Sequence, residues 1–574
     1  MRSAEGVDET DVVVVGSGAA GLTAAIVAAA AGLRVVLLEK TDHIGGTSAW
    51  SGGVAWVPNN HLMPAAGRTD SAALAKQYVA AVAGDRVDQT MVDAFLATAP
   101  EAFEFLEKNT SAVRWTSYPG VDYFTAHPGA TSHRGLMVKP YDGRALGEHL
   151  GALQCPLRQL VVFRSMQVDV TDTYHLQHIF GSWKSFAHST RLLVRYARDR
   201  LSGRRGTRLI RGNALAARLY RSALDLGVTV VRRSDVVELQ RNGQRVSGVV
   251  YLLSGQRLLL RATRAVILAT GGVSGSERFR ELLMPHARQH VSMLPDGNCG
   301  DGVSMALTQG AVLGSDKVKN ACLTPVSLLK ERDGRETKYP HLAFDRCKPG
   351  SIMVDAAGRR FTNEGACYHE VVTAMHAAGV VPAWLIGDRP FLRRYGMGLA
   401  RPFPYRVRPL VTAGYLVQAP TLEDLARRIG AQPQVLAETV AHFNELARGG
   451  VDTDFGRGAN PYDRSLGDPE HGPNPCLGEI RRGPFYALKL YPGDVGTFRG
   501  LRVNANAQVT DTGGNAIAGL YACGLDIDSV FGGFYPGAGA MHGPNITFAY
   551  VAARHVVREP VSGEPAAGQV RATM

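Results

Sequence analysis

A glycine-rich turn between two apolar runs constrains the fold of this chain more than any other feature. Residues 11–15 read as a buried parallel strand, 19–31 as a helix of small residues and 34–39 as a second strand. The turn between the first strand and the helix reads Gly16-Ser17-Gly18-Ala19-Ala20-Gly21. Its backbone N–H groups can meet a pyrophosphate, and Glu39 at the end of the second strand can hold a ribose hydroxyl. The pattern predicts a dinucleotide-binding βαβ unit, the alternative being a packing turn without a ligand.

Two further glycine-rich segments favour FAD over NAD. Lys40 leads into a polar stretch that contains Gly45, Gly46, Thr47, Ser48, Gly52 and Gly53. Near the other end of the chain, a strand at 519–523 ends at Gly524. Backbone can approach a ligand closely at glycine, so both segments can line one extended cofactor.

The remaining periodicities predict an α/β protein with two lobes. Helices are expected at 72–83, 89–106, 213–226 and 545–557, and a strand at 228–232. Strands at 236–240, 246–252 and 256–262 suggest an antiparallel insert, after which 265–269 returns to the parallel sheet. We predict a Rossmann-like FAD-binding domain with an α+β substrate (capping) domain inserted before the C-terminal FAD segment. The expected division is 1–284 for the first part of the FAD-binding domain, 285–470 for the substrate domain and 471–574 for the C-terminal FAD part, with a loose tail after Glu559.

The chain resembles the flavoprotein superfamily of fumarate reductases and 3-ketosteroid dehydrogenases. The segments that carry this likeness are the opening fingerprint, Glu39-Lys40, Gly45-Gly46-Thr47-Ser48, Ala269-Thr270-Gly271-Gly272 and 519–524. A narrower likeness to 3-ketosteroid Δ1-dehydrogenases rests on 121–124, 361–368, 491–497 and Tyr535-Pro536-Gly537-Ala538-Gly539, of which the last is the most specific. The resemblance runs over most of the chain.

The resemblance implies four catalytic groups. Desaturating a ketone next to its carbonyl removes a proton from the α carbon and a hydride, taken by flavin N5, from the β carbon. Tyr535 and the Gly539 N–H would bind the carbonyl oxygen as an oxyanion hole. Tyr368 would take the proton with help from Tyr123, because a free phenol has a pKa of about 10. Packing roles are the ordinary alternative for any of the 19 tyrosines.

The resemblance also implies how the flavin is held. Relatives with covalently attached flavin carry a histidine soon after the Gly-Gly pair, whereas here Ala49-Trp50-Ser51 precedes Gly52 and His43 reads as a loop residue, so non-covalent FAD is expected. A helix beginning near Asn545 would direct its N-terminus at the flavin pyrimidine edge. The expected cofactor contacts are Gly16, Gly18, Ala19, Ala20, Gly21, Glu39, Lys40, Gly45, Gly46, Thr47, Ser48, Gly52, Gly53, Ala269, Thr270, Gly271, Gly524, Gly539 and Asn545.

Departures from the family pattern leave the substrate open. Asp526, Asp528 and His542 stand where apolar or small residues are expected, and loop solvation or helix capping is the simplest role for the two acids. Desaturation at carbons 4 and 5 needs the same groups. A fumarate- or enoate-type reductase would recruit arginines as proton donor and carboxylate clamps, the candidates being Arg359, Arg360, Arg394 and Arg401. A flavin-binding protein without turnover is the third alternative.

Net charge and cysteine spacing limit which partners the sequence predicts. The formal net charge is +12, but no clustered basic arm supports nucleic-acid binding. The seven scattered cysteines predict neither a disulfide nor a zinc framework, and no metal site is expected. The apolar run 12–38 is interrupted by glycines, so it predicts neither a signal peptide nor a membrane span. We therefore expect a cytoplasmic enzyme, and one that uses an external electron acceptor. One segment, 155–211, contains basic residues interleaved with apolar ones; it suggests either a solvated excursion or a peripheral contact with anionic lipid. These residues are Arg158, Arg164, Lys184, Arg191, Arg195, Arg198, Arg200, Arg204, Arg205, Arg208 and Arg211, with Phe180, Trp183, Phe186, Leu192, Leu193 and Tyr196 between them.

Overall fold

The opening strand, Glu9–Val15, lies inside an eight-stranded sheet in a computed structural model of the protein. The structure describes residues 8–203, 205–295, 297–343, 345–402 and 405–559, so Arg204 and the tail after Glu559 lie outside the described residues. The sheet order is Thr229–Arg232, Val35–Glu39, Glu9–Val15, Gln256–Leu268, Arg245–Leu253 and Ser234–Asn242, with Ala516–Ala522 pairing with Gln256–Leu268 and Gln508–Thr510 with Ala516–Ala522.

The predicted βαβ unit is confirmed as a parallel pair of strands joined by the helix Ala19–Ala30. This helix is almost entirely buried because its small side chains allow it to contact both Arg211–Asp225 and His542–Arg558 closely. A Cβ atom added at Gly21 would lie 1.9 Å from the Gly16 carbonyl oxygen. Only glycine permits this approach of helix to strand.

The predicted antiparallel insert differs from the structure in one respect. The predicted strands 256–262 and 265–269 are one continuous strand, Gln256–Leu268. Its first half pairs antiparallel with Arg245–Leu253, and its second half pairs parallel with Glu9–Val15. The polar residues Thr263 and Arg264 interrupt the apolar pattern, and the register of pairing with Glu9–Val15 shifts there while the strand itself continues, which explains why the sequence suggested two strands.

A second, seven-stranded sheet forms most of the other lobe. Its strands are Val291–Ser292, Ala321–Lys330, Glu336–Pro340, Ser351–Val354, Ala383–Gly387, Leu416–Ala419 and Phe485–Thr497. The last of these pairs with four of the others and carries the sheet beyond residue 470, where we expect the chain to return to the first lobe. Its end lies against the first lobe: Asp494 accepts a hydrogen bond from Ser274 at 2.7 Å, and a Cβ atom at Gly272 would lie 2.4 Å from the Thr497 hydroxyl.

Smaller elements complete the described residues. A three-stranded sheet contains Val54–Trp56, Gly135–Val138 and Trp115–Tyr118, and two short pairs join Tyr141–Asp142 to Arg208–Leu209 and Val161–Val162 to Met166–Gln167. The further helices are Ala72–Ala83, Gln89–Asn109, Val170–Gln177, Trp183–Leu201, Glu277–Leu283, Asp301–Thr308, Tyr368–Ala377, Arg389–Tyr395, Arg408–Thr412, Leu422–Ile429, Pro433–Gly449 and Pro461–Leu466. Within the described ranges, none of the helices has the length and apolar character that crossing a bilayer requires.

Candidate active site

The fingerprint turn lies at the carboxyl end of the first strand, where the sheet, the first helix and the next loop meet. Gly16 has a φ of +103°, and a Cβ atom there would lie 2.2 Å from the Ala269 carbonyl oxygen. Glu39 accepts hydrogen bonds from the Ser17 N–H at 3.1 Å and from the Thr41 N–H at 2.8 Å. Its carboxylate is therefore held beside the turn, where the sequence places a ribose.

The polar loop after Lys40 folds back onto the helix N-terminus. Residues Gly46–Trp50 form a 3-10 helix, and the Ser48 hydroxyl accepts a hydrogen bond from the Ala19 N–H at 2.9 Å. The helix has no side-chain cap of its own at Gly18. The Lys40 side chain pairs with Asp301 instead, with 2.8 Å between its Nζ atom and a carboxylate oxygen. The Ser48 loop therefore packs against the N-terminus of the helix, and a helix N-terminus is where phosphate groups commonly bind.

Asp526 organises the loops on the other side of this turn. It is fully buried, and its carboxylate accepts hydrogen bonds from the Thr270 N–H at 2.5 Å and the Gly272 N–H at 2.9 Å. Asp528 accepts the Gly500 N–H at 2.9 Å and the Lys317 ammonium group at 2.8 Å. The expectation of loop solvation or helix capping is therefore wrong for both acids, which tie loops together instead.

The last helix begins at His542, three residues before the predicted start at Asn545. Gly543 and Pro544 read as helix breakers, but proline is tolerated in the first turn because its missing N–H has no helical partner there. Burial lowers the pKa of His542 to about 4, and its Nδ1 atom has no hydrogen-bond partner among the described residues. The helix start thus presents a neutral imidazole, while the Gly543 N–H next to it donates to the Gly539 carbonyl oxygen at 3.0 Å.

Three tyrosines from distant parts of the chain meet beside the Gly539 loop. Ring centroids are 5.6 Å apart for Tyr368 and Tyr535, 5.7 Å for Tyr123 and Tyr535, and 6.2 Å for Tyr123 and Tyr368. The Tyr368 side chain and the Gly539 backbone lie near enough to the Tyr535 hydroxyl to lower its pKa. Gly539 itself has a φ of +85°, and a Cβ atom there would lie 2.4 Å from the Val54 carbonyl oxygen. The four residues predicted to be catalytic therefore lie together.

Burial governs the electrostatics of this cluster. It raises the pKa of Tyr123, Tyr368 and Tyr535 above the ordinary value for a phenol, and the neighbouring phenols raise that of Tyr123 and Tyr368 further. The nearby Tyr368 side chain and Gly539 backbone oppose the effect of burial on the pKa of Tyr535. At neutral pH the three groups are hydrogen-bond donors, so a phenol that accepts a proton here needs another phenol to stabilise its anion.

Other residues at the cluster were missed by the sequence analysis. The ring of Tyr462 lies 4.5 Å from that of Tyr123, and Phe498 lies 6.4 Å from Tyr535. The thiols of Cys322 and Cys367 are near enough to raise the pKa of Tyr535. Cys367 and Phe498 lie in or directly after the segments 361–368 and 491–497 that carry the family resemblance, whereas nothing in the sequence around Tyr462 and Cys322 distinguishes them from core residues, because only the fold brings them to the phenols.

Tyr368 is positioned by a buried ion network. It is the first residue of Tyr368–Ala377, four residues after Glu364, whose carboxylate lies 2.9 Å from Arg360 and 3.1 Å from Arg457. Arg360 also pairs with Asp452 at 2.9 Å. Burial alone would raise the pKa of Glu364, but the two guanidinium groups outweigh it and hold this pKa below its ordinary value.

Replacing Glu364 with glutamine is expected to lower the free energy of unfolding by about 3–5 kcal/mol, because two buried arginines then share one counter-charge fewer. A carboxyl group with a depressed folded pKa stabilises the protein above its unfolded pKa of about 4.3, and this contribution disappears as the pH falls through the folded value. The melting temperature of the variant should therefore fall less steeply with acidification. Glu104→Gln, which removes an exposed pair with Lys108, is the control and should change stability by less than about 1 kcal/mol. Equal losses in both variants would contradict the role of Glu364.

The arginines considered for a reductase lie in other contacts. Arg360 belongs to the ion network just described, and Arg394 pairs with Asp468 at 2.7 Å on a half-exposed surface. Arg401 donates to the Val161 carbonyl oxygen, and Arg359 is exposed. Within the part of the chain that the structure describes, no hydrogen bond, ion pair or ring contact joins these four arginines to the three phenols.

Comparison with known proteins agrees with this geometry. A model of the family described as "FAD binding domain" matches residues 11–541. The chain is 39% identical over 557 residues to 4-oxocyclohex-2-ene-1-carboxylate 5-dehydrogenase of Sinomonas cyclohexanicum, covering 96% of this chain and 94% of that protein. It is 34% identical over 566 residues to 3-oxosteroid 1-dehydrogenase of Mycolicibacterium smegmatis, covering 95% and 96%.

A solved structure supports the same assignment. The 3-ketosteroid Δ1-dehydrogenase of Sterolibacterium denitrificans, crystallised with 1,4-androstadiene-3,17-dione, superposes with a TM-score of 0.88 at 33% identity, covering 96% of this chain and 99% of that one. The predicted α/β fold and the FAD cofactor are thereby confirmed. The chain belongs to the "FAD binding domain" family and is an FAD-dependent oxidoreductase that acts on CH–CH groups.

Proposed function

We propose that the protein desaturates the carbon–carbon bond next to the carbonyl of a cyclic ketone, with the 1,2 bond of 3-ketosteroids as the first candidate. The observation that carries this proposal is the meeting of Tyr123, Tyr368 and Tyr535 with the Gly539 backbone. A carbonyl that accepts from the Tyr535 hydroxyl and the Gly539 N–H gains stabilisation as charge develops on its oxygen. Its α proton becomes more acidic as a result.

The proton goes to Tyr368. Its phenol has a raised pKa, so it accepts a proton efficiently only once it is ionised, and the adjacent Tyr123 hydroxyl can donate to the resulting phenolate. When bound, FAD would supply the acceptor for the hydride of the β carbon, and loss of the proton and the hydride would give the enone. The surrounding residues keep water out, because Tyr368 and Tyr535 are 8% and 6% exposed.

The surroundings of the cluster bear on the charge of the substrate. The pKa values of the three phenols are raised by burial, by other phenols and by thiols, and the buried guanidinium beside Tyr462, that of Arg346, already donates to backbone carbonyl oxygens. A reductase of fumarate needs cations to clamp two carboxylates, so these surroundings disfavour it. A second candidate substrate is a 4-oxocyclohexane-type carboxylate, favoured by the relative at 39% identity that is named for such a compound. Desaturation at carbons 4 and 5 is the alternative regiochemistry for the first candidate.

An anaerobic stopped-flow panel tests the proposal. Oxidised protein is mixed with 4-androstene-3,17-dione, 5α-androstane-3,17-dione or 4-oxocyclohexanecarboxylate, and flavin absorbance is followed. In a separate experiment, photoreduced protein is mixed with fumarate and followed in the same way. Bleaching by a ring ketone with formation of its enone supports desaturation and identifies the substrate class. Reoxidation by fumarate, without bleaching by any ketone, would contradict it. Release of all flavin by acid precipitation is expected, because we propose that FAD is bound non-covalently.

We further propose that the excursion 155–211 contacts an anionic membrane surface. Phe180 and Trp183 are 90% and 80% exposed at the start of Trp183–Leu201, and Lys184 and Arg191 are exposed on the same helix. Aromatic side chains beside cations suit the boundary between headgroups and acyl chains. Several of the basic and apolar residues predicted to face the membrane make contacts within the protein instead. Leu192 is buried, Arg195 pairs with Asp142, and Arg208 pairs with Asp169 and Asp172.

The double variant Phe180→Ser with Trp183→Ser is expected to lower the fraction of protein that sediments with phosphatidylglycerol vesicles several-fold, because burial of each aromatic side chain contributes about 1.5–3 kcal/mol. Leu282→Ser is the matched control, since Leu282 is 63% exposed on another helix. Equal sedimentation of wild type and double variant, or loss of binding in the control, would contradict the proposal. If the protein binds phosphatidylcholine vesicles as tightly as anionic vesicles, the basic residues do not contribute to the membrane contact.

A further inference from the structure

The spacing of the phenols depends on a second set of residues, which lies behind the cluster. Tyr78 is fully buried on Ala72–Ala83, and its hydroxyl donates to the Pro536 carbonyl oxygen at 2.6 Å. The same hydroxyl accepts from the Phe124 N–H at 3.2 Å. One side chain thus joins the segment that follows Tyr123 to the segment that follows Tyr535.

The Pro536 carbonyl is the meeting point of these two segments. It accepts a second hydrogen bond from the Tyr123 N–H at 2.9 Å. Because the oxygen has two lone pairs, the Tyr78 hydroxyl and the Tyr123 amide can use it together. The backbone of one phenol is therefore bonded to the residue next to another phenol.

A buried ion pair fixes the other end of this connection. Arg134 donates to Asp70 through two nitrogens at 2.8 Å each and to Asp122 at 2.7 Å, with all three side chains at most 2% exposed. Asp122 also accepts from the Trp56 indole N–H at 2.8 Å. The guanidinium lies 5.5 Å from the centre of the Tyr78 ring.

The same Trp56 holds the loop at its far end. Its backbone N–H donates to the Gly539 carbonyl oxygen at 3.0 Å. A Cβ atom at Gly537 would lie 2.7 Å from the indole ring and 3.2 Å from Asp122, so the loop fits against these side chains only as glycine. Both ends of the loop from Tyr535 to Gly539 are consequently fixed relative to Tyr123.

We propose that Tyr78, supported by Arg134 and Asp122, is a positioning residue that sets the distance between Tyr123 and the Tyr535–Gly539 oxyanion site. This inference rests on the proposed function. Tyr78 touches neither substrate nor proton in this role. It acts by holding the proton-accepting phenols at a fixed distance from the carbonyl site, and displacement of reacting groups by about 1 Å costs up to about 10²-fold in rate.

Tyr78→Phe tests the proposal, because phenylalanine keeps the buried ring and removes only the hydroxyl. We expect kcat to fall at least about 10-fold while KM and the FAD content stay near wild type, and the alkaline limb of the kcat–pH profile to move. Tyr415→Phe is the matched control: that hydroxyl is also buried and also bonded on two sides, to Ser327 at 2.6 Å and to the Leu399 N–H at 3.0 Å. It should lose stability without losing kcat.

A kcat and pH profile equal to wild type would overturn the proposal, as would a loss of kcat that follows the loss of bound FAD or is matched by Tyr415→Phe. If Tyr78→Phe does not fold, Asp122→Asn weakens the same connection from its other end and is expected to lower kcat with FAD retained. A wild-type protein that no ketone reduces would count against the proposed function alone. A crystal structure of the variant then decides the inference: the Tyr123 and Tyr535 rings should move apart from 5.7 Å, and an unchanged separation overturns it.

Discussion

Replacing Tyr535 with phenylalanine is expected to lower kcat by about 10²–10³-fold, the effect of removing one donor from an oxyanion site. The ring is 6% exposed and stays in place, stacked 6.4 Å from Phe498, so the flavin should remain bound and the melting temperature should change little. Single-turnover flavin reduction by a ketone substrate measures the loss directly, and the flavin absorbance at equal protein concentration measures cofactor content.

The control for this variant is Tyr550→Phe. Tyr550 is similarly buried, and its hydroxyl donates to Glu101 at 2.6 Å, on the last helix but away from the phenols. It should retain the wild-type rate. Undiminished ketone turnover by Tyr535→Phe would remove Tyr535 from the oxyanion site, and a rate loss accompanied by loss of flavin would assign it to cofactor binding instead.

Replacing Tyr368 with phenylalanine is expected to lower kcat by about 10²–10⁴-fold, the range for loss of a positioned general base. Burial raises the pKa of this phenol, so in the wild type kcat should increase as the pH rises toward that pKa, because only the ionised form accepts a proton. The variant should lose this increase. Stopped-flow reduction between pH 6 and 10 measures both effects.

An independent measurement separates the base from the oxyanion donor. Exchange of the substrate α proton with deuterated water should persist at a reduced rate in Tyr535→Phe and disappear in Tyr368→Phe, because only the second variant lacks the proton acceptor. A matched pH profile in wild type and Tyr368→Phe would show that another group takes the proton, and the adjacent Tyr123 and Tyr462 would then be the phenols to replace next.

The parts of the fold that the sequence predicted well depend on local interactions. The fingerprint, its flanking strands and the helix Ala72–Ala83 follow from apolar periodicity and from glycines that permit close backbone approach. The start at His542 and the continuous strand Gln256–Leu268 were missed, because Pro544 and the polar Thr263-Arg264 pair resemble breaks that the tertiary structure tolerates.

The candidate site likewise contains residues that short sequence motifs predict and residues that only the fold brings to it. Tyr123, Tyr368, Tyr535 and Gly539 could be named because each lies in a short motif that resembles a known family, and the structure brings the four together, while their chemical roles remain predictions. Tyr78, Arg134 and Tyr462 carry no such motif. The contacts that connect them to the phenol cluster, directly for Tyr462 and through Pro536, Phe124 and Asp122 for the other two, join positions far apart in sequence, and a single sequence contains no signal for such contacts.

The strand Phe485–Thr497 limits how the two lobes can move. It is hydrogen-bonded along its length to the second sheet, and near its end Asp494 accepts a hydrogen bond from Ser274 in the loop that follows the first sheet. This connection leaves little freedom for wide separation of the lobes at this strand. We therefore expect the substrate to enter and leave through local displacement of loops, and cross-linking the lobes at a position beside this strand should leave turnover almost intact.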